Sequence, residues 1–116
     1  MGLITKTLVA LIAIEHIYIL YMEMFAWETL GKKTFRGAFP DELFKPTKTL
    51  AANQGLYNGF LAIGLIYAML FNNINTVMLF LIFVTLAGIY GSYSTKKIRL
   101  FYVQSVPAII AILLLK

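Results

Sequence analysis

Residues 3–27 read LITKTLVALIAIEHIYILYMEMFAW, and the fold turns on this run. A transmembrane helix needs roughly 20 apolar residues, and the run exceeds that. Yet it carries Glu15 and His16 near its middle and Glu23 two turns later. A carboxylate in hydrocarbon costs about 3 kcal/mol or more on insertion scales, so such groups face a protein interior and mark function. The remainder of the chain is therefore expected to supply helices that enclose them.

Composition agrees with a membrane setting. The chain has 116 residues, enough for one domain; 60% are hydrophobic and 13% charged, about half the charge of an ordinary soluble domain. Mean hydropathy is +0.82. The net charge of +5 would suggest nucleic acid in a soluble protein. Here the basic residues sit in short loops between apolar runs, which records membrane orientation and headgroup contact and argues against a nucleic-acid partner. Without cysteine, disulfides, thiolate nucleophiles and thiolate metal sites are excluded. The first run has neither a basic leader before it nor a small-residue cleavage site after it, so it is expected to be a permanent span.

Four stretches are expected to span: residues 3–27, 50–71, 76–93 and 100–115, the last two short enough to require tilt or local thinning. The expected fold is an all-α, four-transmembrane-helix bundle forming one integral membrane domain. Between spans one and two, residues 28–49 carry Phe35, Phe39, Leu43 and Phe44 at helix-like spacing among lysines and acids. That segment is expected to form a short interfacial helix or loop. Asn72-Asn73-Ile74-Asn75 makes a tight turn between spans two and three. Eight lysines and arginines fall in the first and third connections, against only Lys6 and Lys116 elsewhere. The positive-inside rule then places both termini outside the cell membrane and both basic loops in the cytoplasm.

Small residues stripe the second span at Ala52, Gly55, Gly59 and Ala62. They read as a packing face, with Gly88, Gly91, Ala108 and Ala111 as its expected receivers. Pro107 is expected to kink span four and free a carbonyl.

At 100° per residue, His16, Leu20, Glu23 and Trp27 fall within about 60° of one another, with Glu15 about 80° from Glu23. Asn53, Gln54, Tyr57 and Asn58 share a sector of span two, and Gln104 and Ser105 lie on span four. Depth relates them. Glu23, Gln54 and Gln104 each stand four residues from the cytoplasmic end of their span, about 6 Å inside it. His16 and Asn58 lie deeper, and Glu15 near the midplane. Glu15, His16, Glu23, Trp27, Asn53, Gln54, Tyr57, Asn58 and Gln104 are thus the candidate ligand-binding residues, around a polar pocket entered from the cytoplasm. Amides that merely tie helices together, and an interfacial aromatic role for Trp27 and the tyrosines, are the plainer alternatives.

Glu15-His16 with Glu23-Met24-Phe25-Ala26-Trp27, the block Ala52-Asn53-Gln54-Gly55-Leu56-Tyr57-Asn58-Gly59-Phe60-Leu61-Ala62, Ala87-Gly88-Ile89-Tyr90-Gly91, and Gln104-Ser105-Val106-Pro107-Ala108 carry a resemblance. Together they resemble the small bacterial membrane-protein family called domain of unknown function 1304, nearly end to end. The resemblance implies a compact four-helix membrane protein and no particular mechanism. A remoter resemblance, of architecture only, is to DoxX-like four-helix membrane proteins, and implies sterol-like ligands or their isomerisation through buried acids.

Three functions remain open. The first is binding of a small polar or cationic molecule, with proton-coupled transport through Glu15 and His16; lacking an internal repeat, a transporter would work as a homodimer. Carboxylates, amides and an aromatic face suit a cation. The second is an intramembrane acid–base enzyme, an isomerase or epimerase on a lipophilic substrate, with Glu15, His16 and Glu23 as catalytic candidates. The third is a purely structural or lipid-interacting role. A metal site is not expected: Glu15 and His16 diverge by about 100° on a helix, and one histidine with few acids makes a poor ligand set. No phosphate loop or dinucleotide fingerprint is present, and no cofactor is expected.

Overall fold

Asparagine, proline and glycine punctuate the chain into four helices. The computed structural model describes residues 1–115. The described chain is all-α, without strands, and comprises α1 (Leu3–Phe25), α2 (Lys48–Leu70), α3 (Ile74–Thr95) and α4 (Ile98–Leu114). Two of them, α1 and α3, are long and apolar enough to cross a membrane. α2 is as long as α1, 23 residues, but Asn53, Gln54 and Asn58 lower its hydropathy.

The short α2–α3 connection is built by asparagines. Asn72 takes a left-handed conformation, φ 52°, which its short polar side chain tolerates. Asn73 caps α3 by accepting from the Thr76 N–H at 3.1 Å. Lys96, φ 57°, ends α3 with a left-handed cap, and the Lys97 N–H returns to the Ser92 carbonyl at 3.1 Å. α3 therefore runs beyond the expected 76–93 to 22 residues, about 33 Å at 1.5 Å per residue.

Ahead of Pro107, α4 widens into a π turn over Phe101–Ser105. Such a turn absorbs the mismatch created where proline removes a hydrogen-bond donor. At 17 residues, α4 is about 26 Å long.

Glycines set the helix contacts. A Cβ at Gly55 would lie 2.7 Å from Met24 Cγ and 3.1 Å from the Leu20 carbonyl, and one at Gly59 would strike Leu20 Cδ1. The small face of α2 therefore receives α1. This corrects the expectation that α3 or α4 would meet it: Leu20 is the bulky side chain that fills the notch. Gly88 of α3 instead admits Ser105 of α4, whose hydroxyl donates to the Thr85 carbonyl at 2.8 Å.

The apolar core lies toward one end of the bundle. It joins Val9, Ile12 and Ala13 from the first half of α1, Ala62, Leu65 and Ala68 from the second half of α2, Val77, Leu81 and Val84 from the first half of α3, and Ala108 and Ala111 late in α4. The other end, where α1 and α3 finish and α2 and α4 begin, is less tightly filled.

A compact folded loop covers that second end. Of the interfacial helix or loop expected between α1 and α2, the segment forms a folded loop of short turns and no continuous amphipathic helix. It is a π turn, Trp27–Gly31, a helical turn, Lys32–Thr34, a left-handed bend at Gly37 (φ 86°), and a short 3-10 turn, Asp41–Leu43. Phe39 stacks on Phe44 with centroids 4.6 Å apart, and Phe44 lies 5.1 Å from Trp27. Phe44 is fully buried. The aromatic residues make a second small core, because they bury more surface against one another and Ala51 than a lone surface helix would.

Candidate functional site: a cavity beneath the loop

α1 and α2 cross so closely at Gly55 and Gly59 that Glu23 and Asn58 meet. The Asn58 amide donates to Glu23 Oε1 at 2.7 Å and to the Gln54 carbonyl at 3.1 Å. One turn on each helix thus fixes the carboxylate. Next to it opens a cavity of about 960 Å³, large enough for a drug-sized molecule.

Six of the nine candidate ligand-binding residues border this cavity: Glu15 and Glu23 from α1, Gln54, Tyr57 and Asn58 from α2, and Gln104 from α4. The Glu15 Oε1 atom is buried and lacks a hydrogen-bond partner among the described residues. A buried polar atom left unmatched is costly. It is therefore the group with the most to gain from a bound donor.

Three candidates lie elsewhere. His16 is 2% exposed and does not border the cavity; its Nδ1 sits 2.8 Å from the Ile12 carbonyl. Since that carbonyl can only accept, Nδ1 carries the hydrogen. Adjacent helix positions diverge by about 100°, so when Glu15 faces the cavity, His16 turns away from it. Asn53 is exposed on α2. Trp27 lies in the aromatic core, its indole N–H donating to Thr47 Oγ1 at 3.0 Å. It borders a smaller cavity of about 300 Å³ shared with Phe35, Phe39 and Thr47. Glu23 and Gln54 stand in the wall between the two cavities.

The large cavity also takes in residues with no place in the sequence reading. Lys33 from the first loop, Lys97 from the third and Arg99 from the first turn of α4 border it, with Tyr18, Tyr90 and Ser94. In the sequence the lysines and arginine carry a topology signal. Their convergence depends on how two loops far apart in sequence fold over one opening. Among the described residues no group of three or more histidine, cysteine or acidic side chains could hold a metal.

Similar proteins place the chain. The family described as "Protein of unknown function (DUF1304)" matches residues 10–116. The "Uncharacterized protein YpaA" of Lactococcus lactis subsp. lactis (strain IL1403) is 38% identical over 118 residues, covering 97% of each chain. No solved structure matches. The match spans the cavity helices, the covering loop and the turn before Pro107 alike, and the chain belongs to the DUF1304 family.

Proposed function

We propose that this protein is a four-span integral membrane protein that binds a small molecule in the cavity beneath its basic loops. The observation that carries the reading is the convergence of Glu15, Glu23, Asn58 and Gln104, from three helices, on one cavity of about 960 Å³. Polar groups are expensive within an apolar bundle, and four directed at one space are better explained by an occupant than by helix tethering alone.

The membrane setting is supported by the surface. Leu11, Ile14, Phe60, Ile63, Phe83 and Leu86 stand exposed midway along α1, α2 and α3, more apolar surface than a soluble monomer tolerates. The long axis measures 46 Å, close to the roughly 40–45 Å of a bilayer with its headgroups. In the proposed orientation the termini and the α2–α3 turn face outward, and Lys33, Arg36, Lys97 and Arg99 face the cytoplasm. Binding, with transport as its extension in a homodimer, is preferred to acid–base catalysis. With His16 turned away, a bound molecule would meet two carboxylates and no imidazole.

The orientation is tested with cysteines, since the chain has none of its own. In intact cells a membrane-impermeant maleimide is expected to label Asn75→Cys, and Arg36→Cys only after permeabilisation. The opposite pattern reverses the orientation, and labelling of both from outside removes the four-span topology.

The binding reading is tested by native mass spectrometry of protein released in mild detergent, wild type beside Glu23→Gln. The glutamine keeps an acceptor for Asn58 and removes the charge. A hydrogen bond to a charged group contributes about 1.5–3 kcal/mol, so adduct occupancy is expected to fall roughly tenfold or more. An apo mass for both proteins, with equal thermal stability, overturns the binding reading.

A further inference from the structure

The large cavity has chemically different ends. Glu15, with its unpartnered Oε1, stands ten residues before Phe25. That places it on the order of 15 Å along α1 from the end covered by the loops. At the covered end Lys33, Lys97 and Arg99 line the opening. The only ion pair among the described residues is Lys48 with Glu28, at 3.7 Å. None of the three cations at the opening therefore has a carboxylate partner there. They are brought together by the fold: the Lys97 ammonium lies 3.8 Å from where a Cβ on Gly37 would stand, so the third loop touches the first beside this opening. Between the ends the wall includes Ile19, Met22, Leu61 and Val103.

The deep end has an unmet requirement, and the covered end, where Lys33 and Arg99 are exposed and Lys97 half-buried, has an excess of positive charge. Three unpaired positive charges around one opening repel one another and attract an anion. A buried carboxyl oxygen without a partner requires a hydrogen-bond donor or a cation. The apolar strip of Ile19, Met22, Leu61 and Val103, beside the polar Glu23, Gln54, Asn58 and Gln104, accepts a hydrocarbon body. One elongated molecule satisfies all three.

We propose that the cavity selects an elongated amphiphile with an anionic group held by Lys33, Lys97 and Arg99, an apolar body, and an amine or hydroxyl at its far end held by Glu15. The inference rests on the reading that the cavity binds a small molecule, and it adds that ligand's polarity and direction. The anion enters last and stays at the opening; the donor end goes in first. Glu23, with one oxygen engaged by Asn58, stands between the two ends and keeps its other oxygen for the ligand.

The test uses the full chain in mild detergent, titrated by native mass spectrometry with four probes: ω-aminododecanoate, dodecanoate, dodecylamine and inorganic phosphate. The wild type is expected to bind ω-aminododecanoate about tenfold more tightly than either singly charged chain, the increment of one charged hydrogen bond, and phosphate more weakly than all three. Glu15→Gln is expected to bind ω-aminododecanoate and dodecanoate equally. The paired substitution Lys97→Gln with Arg99→Gln, at the α3–α4 connection and the first turn of α4, away from the apolar core, is expected to bind ω-aminododecanoate and dodecylamine equally, and it keeps the test decisive should Glu15→Gln fold poorly.

Equal binding of the three chains by the wild type overturns the proposed polarity. Dodecanoate binding that matches ω-aminododecanoate and is unaffected by Glu15→Gln reduces the opening to a contact for anionic headgroups. Phosphate binding as tight as that of the chains reduces it to an anion site. In these cases, or if no probe binds, the amphiphile inference falls. The broader binding reading falls with it only if the wild type also carries no co-purified adduct lost in Glu23→Gln.

Discussion

Phe44→Ala is expected to unfold the covering loop. The ring is fully buried and stacks on Phe39 while touching Trp27. Removing a buried phenylalanine side chain costs about 3–5 kcal/mol, and this second core contains few other side chains among which to spread the loss. The loop, not the bundle, should give way, because the main core around Val9, Leu65 and Leu81 shares no residue with the aromatic one. Trp27 is the single tryptophan of the chain, so its fluorescence reports on this core alone. The expected result is a red-shifted emission and faster exchange of the backbone amides over residues 27–47, with helix content and the thermal midpoint of the bundle little changed. An unshifted emission maximum would show that the cluster does not depend on Phe44. Loss of all helical signal would show that the loop and the bundle fold as one unit.

That loop marks the boundary of what the sequence makes legible. Apolar length reveals helices, since a bilayer-sized run admits few other structures, and level depth on antiparallel helices sets Glu23 beside Gln54, one helical turn short of the Asn58 that it meets. Both arguments need only a rise per residue and an alternating direction. The aromatic spacing of Phe35, Phe39 and Phe44 is ambiguous in a way that length is not. The same interval fits a helix lying on a membrane and a chain that doubles back to bury its rings, and only the position of Trp27 across the turn decides between them. The left-handed bend at Gly37 permits the second, and a glycine alone in a polar stretch gives little notice of it.

The candidate site divides on similar lines. Adjacent residues on a helix face different directions, so Glu15 and His16 could not both look into one cavity, and nothing in the sequence says which is turned inward. His16 bonds to the carbonyl of the preceding turn, which a histidine can do on any face. The basic residues at the opening are silent for another reason: lysine and arginine in short loops between apolar runs already have an explanation in membrane insertion, and a residue with one sufficient role gives no sign of a second. The glycine face of α2 was recognisable as a contact surface, but its partner was not. Which helix enters the notch depends on where Leu20 projects, and that is a property of the assembled pair. Division of labour along the bundle axis follows from these contacts. Large aliphatic side chains seal one end, while glycines, amides and carboxylates at the other leave space between helices.

Gly88→Ala is expected to pry α3 from α4 at the boundary between those two ends. A Cβ at position 88 would collide with Ser105 Oγ and come within 3.0 Å of both Ser105 N and Gln104 Cβ. The serine hydroxyl could rotate away only by losing its bond to the Thr85 carbonyl, and the backbone nitrogen cannot rotate at all. Overpacking of this kind costs about 1–3 kcal/mol, to which the lost hydrogen bond adds about 1 kcal/mol. The double substitution Gly88→Ala with Ser105→Gly should recover the part due to the hydroxyl and leave the part due to the backbone. The two positions should therefore be coupled, with the pair less destabilised than the sum of the singles. Denaturation in mixed detergent, followed by circular dichroism on all three variants, measures this. Simple additivity would mean that the helices separate freely here and that the close approach is not required. Coupling would identify Gly88 and Ser105 as the joint that holds the π turn in register, and with it Gln104 against the cavity, since Gln104 precedes Ser105 in that same turn.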